Sequence, residues 1–191
     1  MIQERFDYFC SVPSDINEHL PVLKSLAGEC EHVTEMGVRN VVSTWALLYG
    51  LPKFLRCYDI HRSENINPAL SAAKDAGIDM RFIEADVLKI EIEKTDMLFI
   101  DTLHTYTQLK RELDIHADKV SKYLVFHDVE TYGTEPEPAS WQTPEIMENY
   151  VQNDKGIMFA INEFMAANPQ WTVKNHYKNN NGLLVLENSG R

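Results

Sequence analysis

Short, largely apolar runs recur along the chain at 32–37 (HVTEMG), 53–60 (KFLRCYDI), 80–85 (MRFIEA), 96–101 (DMLFID) and 122–128 (KYLVFHD). Runs of this length, rich in β-branched and aromatic residues, read as strands. The stretch Met97–Ile100 is too apolar for an edge position. Between the runs the period lengthens. Leu109, Leu113, Ala117 and Val120 share one helical face and predict a helix over 106–121. Ile157, Ala160, Ile161, Phe164 and Met165 fall at i, i+3, i+4, i+7 and i+8, the spacing of an amphipathic helix. Asn67-Pro68 opens another helix and Gly77 closes it. Ser43 is placed to cap a short helix from Thr44 to Tyr49, stopped by Gly50-Leu51-Pro52. Residues 1–30 read as a helical preface, with Ser14 or Asp15 as a cap and Pro21 in a first turn. Two last apolar runs, 171–177 and 183–187, flank Lys178-Asn179-Asn180-Asn181-Gly182 and predict an antiparallel hairpin.

Strands alternating with helices predict an α/β fold. The expectation is a Rossmann-like, seven-stranded, mostly parallel sheet with helices on both faces and a C-terminal antiparallel β-hairpin, in one domain over 1–191. With 191 residues, 44% of them hydrophobic, the chain can bury a substantial core. No apolar run approaches the ~20 residues a bilayer requires, so no membrane partner is expected. The opening MIQERFDYFC lacks the pattern of a secretory signal. Cys10, Cys30 and Cys57 are scattered, without CxxC spacing. They suggest a reducing, cytoplasmic setting and neither a disulfide frame nor a zinc site. A net charge of −11 argues against nucleic acid as the main partner, because phosphate binding runs on Lys and Arg. It leaves room for a small neutral or cationic ligand; a homo-oligomer stays open.

Open α/β sheets bind ligands beyond the carboxyl ends of their strands. The polar residues at those ends are Glu35 and Gly37, Asp59, Asp86, Asp101 and His104, and His127 and Asp128. Asp59, ending the second strand, suits the two hydroxyls of a ribose; its alternative is a strand-end cap. Asp86 is placed to accept from the exocyclic amine of an adenine. The turn after the first strand, Glu35 to Thr44, holds one glycine and no GxGxxG fingerprint. That counts against a dinucleotide such as NAD and leaves S-adenosylmethionine, whose carboxylate the amides at Ser43 could take.

Three segments carry a resemblance: Glu35-x-Gly37-(x)5-Ser43-Thr44, Phe99-Ile100-Asp101-x-x-His104-x-Tyr106 and Val125-Phe126-His127-Asp128. They are similar to class I S-adenosylmethionine-dependent methyltransferases, nearest the branch of cephalosporin-hydroxylase-like and sugar or macrolide O-methyltransferases. Gly156-Ile157, Asn162-Glu163-Phe164 and Asn168-Pro169-x-Trp171 resemble the same branch, so the likeness runs from about residue 30 onward. It implies S-adenosylmethionine as cofactor, held by Glu35, Gly37, Ser43, Thr44, Asp59, Ile60, Asp86 and Asp101. It implies O-methylation of a small-molecule hydroxyl, on a sugar or secondary metabolite. The chain departs from the family at Val41 and Val42, where members carry more glycine. Metal-dependent members hold a divalent ion on acids ending the fourth and fifth strands. That points to Asp101, His127 and Asp128, with Mg2+ or another divalent cation. Adjacent strands lie ~4.8 Å apart, so carboxylates ending them can share one ion. Consecutive side chains face opposite ways, so His127 and Asp128 both reach it only if the strand bends or ends there. An acid pair without metal is the alternative.

His104 follows a core strand at the ligand-bearing end and is the expected general base, with Asp101 as its catalytic partner; pinning the loop is its other role. His19, His32, His61, His116 and His176 show no partner spacing and read as structural or surface residues. Residues 130–145, rich in Pro, Gly, Thr and Glu, read as a loop over the rim, with Trp141 or Tyr132 offering a stacking face. A mobile acidic surface loop is the alternative. The rival function on this fold is a non-catalytic binding module with a degenerate cofactor cradle.

Overall fold

The computed structural model describes residues 1–190; of Trp141 it describes the backbone alone. Seven strands form one sheet in the order β3-β2-β1-β4-β5-β7-β6. They are β1 (His32–Met36), β2 (Phe54–Asp59), β3 (Asp79–Glu84), β4 (Thr95–Ile100), β5 (Val120–His127), β6 (Trp171–Tyr177) and β7 (Leu183–Asn188). The first five pair in parallel, and β7 runs antiparallel to both β5 and β6. The chain reverses its direction across the sheet between β1 and β4. That switch point opens a crevice at the carboxyl ends.

Side-chain alternation builds two cores. On one face Val33, Leu55, Met97, Phe99 and Val125 pack under α1 (Ile2–Ser11), α2 (Leu20–Ala27), α3 (Val42–Tyr49) and α4 (Ile66–Asp75). On the other, Met36, Leu98, Ile100, Leu124 and Phe126 pack under α5 (Tyr106–His116) and α7 (Ile157–Ala167). Both faces of β4 are thus dry, as its unbroken apolar run requires. Among the described residues no helix is long and apolar enough to cross a membrane.

Three local expectations change. The helix predicted over 106–121 ends at His116; a 3-10 turn follows over Ala117–Lys119, and Val120 opens β5. Val120 is buried in the same core as Leu113 and Ala117, so its spacing imitates a helical face. Ser43 is not a cap: α3 begins at Val42, capped by Val41 with φ +67°, and the Ser43 hydroxyl turns into the sheet. The segment after β5 carries a 3-10 turn at Ala139–Trp141 and a one-turn helix, α6 (Pro144–Met147). The side chain of Trp141 lies outside the described residues.

Candidate active site

Beneath the cradle, Glu35 faces α3. It is fully buried, its two oxygens accepting from Ser43 Oγ (2.6 Å) and Thr44 Oγ1 (2.8 Å). Burial pushes its carboxyl up to about 7 against those hydrogen bonds and one from Cys57. A group whose native pKa is raised above its unfolded value loses stability for the fold as pH rises to the native value. Ionising Glu35 therefore destabilises the protein progressively from about pH 4.5 to about 7, by roughly 3 kcal/mol at 1.36 kcal/mol per unit. Glu112 is raised to about 7 as well, chiefly by burial, and acts in the same window. Glu35→Gln is expected to flatten the fall in melting temperature across that range, measured against wild type.

The turn above it starts at Gly37 (φ +85°), where an added Cβ would lie 2.0 Å from the Asp101 carbonyl oxygen. That close approach of β1 to β4 is what demands glycine here. Asp59 Oδ2 accepts from the amides of Val38 (2.8 Å) and Arg39 (2.9 Å), and Oδ1 accepts from His61 N (3.1 Å). Its carboxylate thus fastens the cradle from the second strand. Val41 points into the core rather than the crevice, and Val42 lines the wall.

A cavity of about 1000 Å³ runs along the carboxyl ends of β1 to β5. It collects Gly37, Ser43, Asp59, Ile60, Asp86, Asp101, His104 and Asp128. Glu35, Thr44 and His127 do not line it. The first two stand behind the cradle, in the core of the α3 face. Asp86 is engaged by Leu88 N (2.9 Å), Asn149 Nδ2 (3.2 Å) and Lys89 Nζ (3.2 Å). Carboxylates outnumber cations along the lining, and Arg39 is paired with Asp15 of the preface. Asp15 is therefore a wall residue of the crevice instead of a helix cap.

At the β4–β5 end the groups converge. β5 stops at His127, and Asp128 takes φ +60°, the bend that consecutive residues needed to approach one point. His104 Nε2 lies 3.2 Å from Asp101 Oδ1 and 3.4 Å from Asp128 Oδ2. One ligand atom from each of Asp101, His104 and Asp128 lies within 4.8 Å of the others. His127 stands behind them. It is buried, edge-on to His19 at 5.7 Å, with Nδ1 3.4 Å from Asp101 Oδ1 and 3.5 Å from Asp128 Oδ2. Both contacts lie off the line of a hydrogen bond. The imidazole closing the triad is thus that of His104. His19 is buried, its Nε2 near the carbonyls of Asn179 (3.0 Å) and Asn180 (3.1 Å), and His116 Nε2 meets Val87 O at 2.8 Å, both structural placements.

Burial alone would raise Asp101 and lower both imidazoles. The charge of His127 and the hydrogen bond from His104 overcome it and hold the Asp101 carboxyl well below the usual range. In His104, burial is outweighed by hydrogen bonds to Asp101 and Glu137, which lift it to about 10. In His127 the same burial penalty is outweighed by the charge of Asp101, again reaching about 10. Asp128 Oδ1 is buried without a hydrogen-bond partner among the described residues, an oxygen free to meet a cation. Two carboxylates, one of them with a spare oxygen, and an imidazole fit a divalent ion; the nitrogen shifts preference from Mg2+ toward Mn2+, Fe2+ or Zn2+.

Sequence reasoning missed Glu137. Its Oε2 accepts from His104 Nδ1 (2.9 Å) and from His104 N (3.2 Å), while its own amide donates to His104 O (3.0 Å). Tyr132 stacks on the His104 ring at 5.2 Å. The segment after β5 is therefore fastened over the rim.

No family model and no curated protein matches the chain. Solved structures do. It superposes on an O-methyltransferase from Bacillus cereus in complex with S-adenosylhomocysteine at TM-score 0.58 and 15% identity, over 97% of this chain and 89% of that one. An S-adenosylhomocysteine-bound methyltransferase from Podospora anserina gives 0.56 and 16%, over 97% and 86%. The magnesium protoporphyrin IX methyltransferase from Synechocystis PCC 6803 gives 0.56 and 14%, over 97% and 92%. Strand order, the switch-point crevice and these superpositions together establish that the chain has the fold of the class I S-adenosylmethionine-dependent methyltransferases.

Proposed function

We propose that this protein is an S-adenosylmethionine-dependent methyltransferase that O-methylates a small-molecule hydroxyl, on a sugar or secondary metabolite, with a divalent cation at the β4–β5 end. The observation that carries it is that the tips of β1 to β5 bring Asp59, Asp86, Asp101, His104 and Asp128 to line one cavity. A sulfonium cation is favoured among carboxylates, and the cavity has ample room for a nucleoside and an acceptor. In the reaction the carbon–sulfur bond breaks as the carbon–oxygen bond forms. S-adenosylhomocysteine leaves, and the hydroxyl proton passes to solvent. Holding acceptor oxygen and methyl carbon in line supplies much of the rate.

Asp101, His104 and Asp128 would hold the cation. When bound, it would lower the pKa of the acceptor hydroxyl. This assigns His104 to the cation through Nε2, since Nδ1 is taken by Glu137, in place of the general-base role expected from its position. Asp59 and Asp86 belong to the nucleoside half. Asp59→Ala is expected to weaken S-adenosylhomocysteine at least about tenfold, a loss near 1.4 kcal/mol, because it frees the cradle amides as well as removing the ribose acceptor.

A non-catalytic module is the second reading, favoured by one observation: three backbone amides already occupy the Asp59 carboxylate. Thermal melting separates the two. S-adenosylhomocysteine at a hundred times its Kd stabilises a binding-competent domain by about 2.7 kcal/mol; a degenerate cradle gives no shift.

A further inference from the structure

We infer that Glu137 is a positioning residue that couples the cation site to the cofactor cavity, so that each ligand tightens the other. The inference rests on the cation reading above.

Glu137 and His104 hold each other by three hydrogen bonds, two through the Glu137 side chain and one between backbones. The side-chain bond fixes the ring tautomer. With Nδ1–H donated to Glu137, Nε2 is the nitrogen whose proton, shared with Asp101, a cation would displace, leaving a lone pair that faces Asp101 and Asp128. A carboxylate behind a ligating imidazole is the usual device for orienting it and raising its basicity, and its loss weakens metal binding about 10- to 100-fold.

The second observation is where the rest of the segment goes. Beyond Glu137 the chain crosses to the far half of the cavity, where Gln142, Thr143, Ile146 and Asn149 line it. There Asn149 Nδ2 donates to Asp86 Oδ2 (3.2 Å), and Glu148 approaches Lys89 Nζ at 3.6 Å. Tyr150 OH reaches back to the Glu137 carbonyl at 3.2 Å, so the two ends are tied. One segment thus grips the cation-facing imidazole at one end and roofs the nucleoside half at the other.

A cation on Nε2 makes Nδ1–H a stronger donor and tightens the bond to Glu137. That holds the roof in the position the cofactor needs. Linkage makes the effect reciprocal.

The test is calorimetry on the full chain with Mn2+ and S-adenosylhomocysteine as the only ligands. Saturating Mn2+ is expected to tighten S-adenosylhomocysteine about tenfold, and saturating S-adenosylhomocysteine to tighten Mn2+ by the same factor. In Glu137→Ala both factors should fall below about twofold, with Mn2+ itself weaker by at least about tenfold. Glu137→Gln, which still accepts from Nδ1–H, should restore part of the coupling. It also guards against a misfolded alanine variant, whose far-ultraviolet circular dichroism must match wild type. Two independent affinities in wild type, or full coupling in a folded Glu137→Ala, would overturn the inference. Absence of Mn2+ binding would overturn the cation reading, and this inference with it. Binding without coupling would overturn only this one.

Discussion

Asp101→Ala is expected to abolish cation binding and to lower methyl transfer on the order of a thousandfold, the several kcal/mol that a charged Lewis acid supplies. Asp101 ends β4 at the centre of the charge cluster. Its Oδ1 faces both His104 Nε2 and His127 Nδ1. Removing it takes away one ligand and also the principal anion that keeps both imidazoles charged. The two histidines of the variant should therefore titrate lower than in wild type, visible in the ring-proton chemical shifts. Stability should follow the depressed carboxyl. That contribution is complete above the ordinary aspartate pKa of about 3.9 and is lost as pH falls towards the lower native value. Wild type should exceed the variant in stability at pH 7, and the gap should narrow below about pH 4. A variant that still binds Mn2+ with wild-type affinity would remove Asp101 from the site.

Gly37→Ala is expected to destabilise the fold by at least about 3 kcal/mol and to abolish S-adenosylhomocysteine binding. Two causes add. Alanine at positive φ costs roughly 1 kcal/mol. Its Cβ would also overlap the Asp101 carbonyl, oxygen at 2.0 Å and carbon at 2.6 Å, where only backbone can yield. Yielding separates β1 from β4, the pair that forms the crevice. Gly77→Ala is the matched control: φ is +76°, with nothing within 4 Å of the added carbon. It should cost only about 1 kcal/mol. Equal losses in urea unfolding would show that conformation, not the approach of the strands, explains the glycine at 37.

Most of the fold is legible because burial on both faces leaves a plain signature. Met97–Ile100 could only be a central strand, and β4 is covered by helices on both sides. The Asn-Gly tip likewise gave the hairpin, with Asn180, Asn181 and Gly182 all at positive φ. The failures share one physical origin. Spacing reports that a residue is buried, but not by which element; Val120 is buried as a strand residue at a position that also fits a helix. A hydroxyl near a helix start reads as a cap, yet left-handed Val41 turns the first turn of α3 so that Ser43 and Thr44 bond Glu35.

In the site, strand ends were readable because ligands gather there in α/β sheets. Which of two neighbouring side chains faces the ligand was not. That depends on the bend at Asp128, which swings its carboxylate beside Asp101 and leaves His127 on the α2 side against His19. Glu137 was invisible for another reason. It is one of several glutamates in an irregular segment, and only the path of that segment across the rim brings it to His104.

Methyl transfer by this protein requires the crevice to be a nucleoside site. Isothermal titration of the purified protein with S-adenosylhomocysteine tests this most directly. The prediction is saturable heat with one molecule bound per chain, weakened in Asp59→Ala. No heat in wild type, with a melting temperature unmoved by the same ligand, would contradict it.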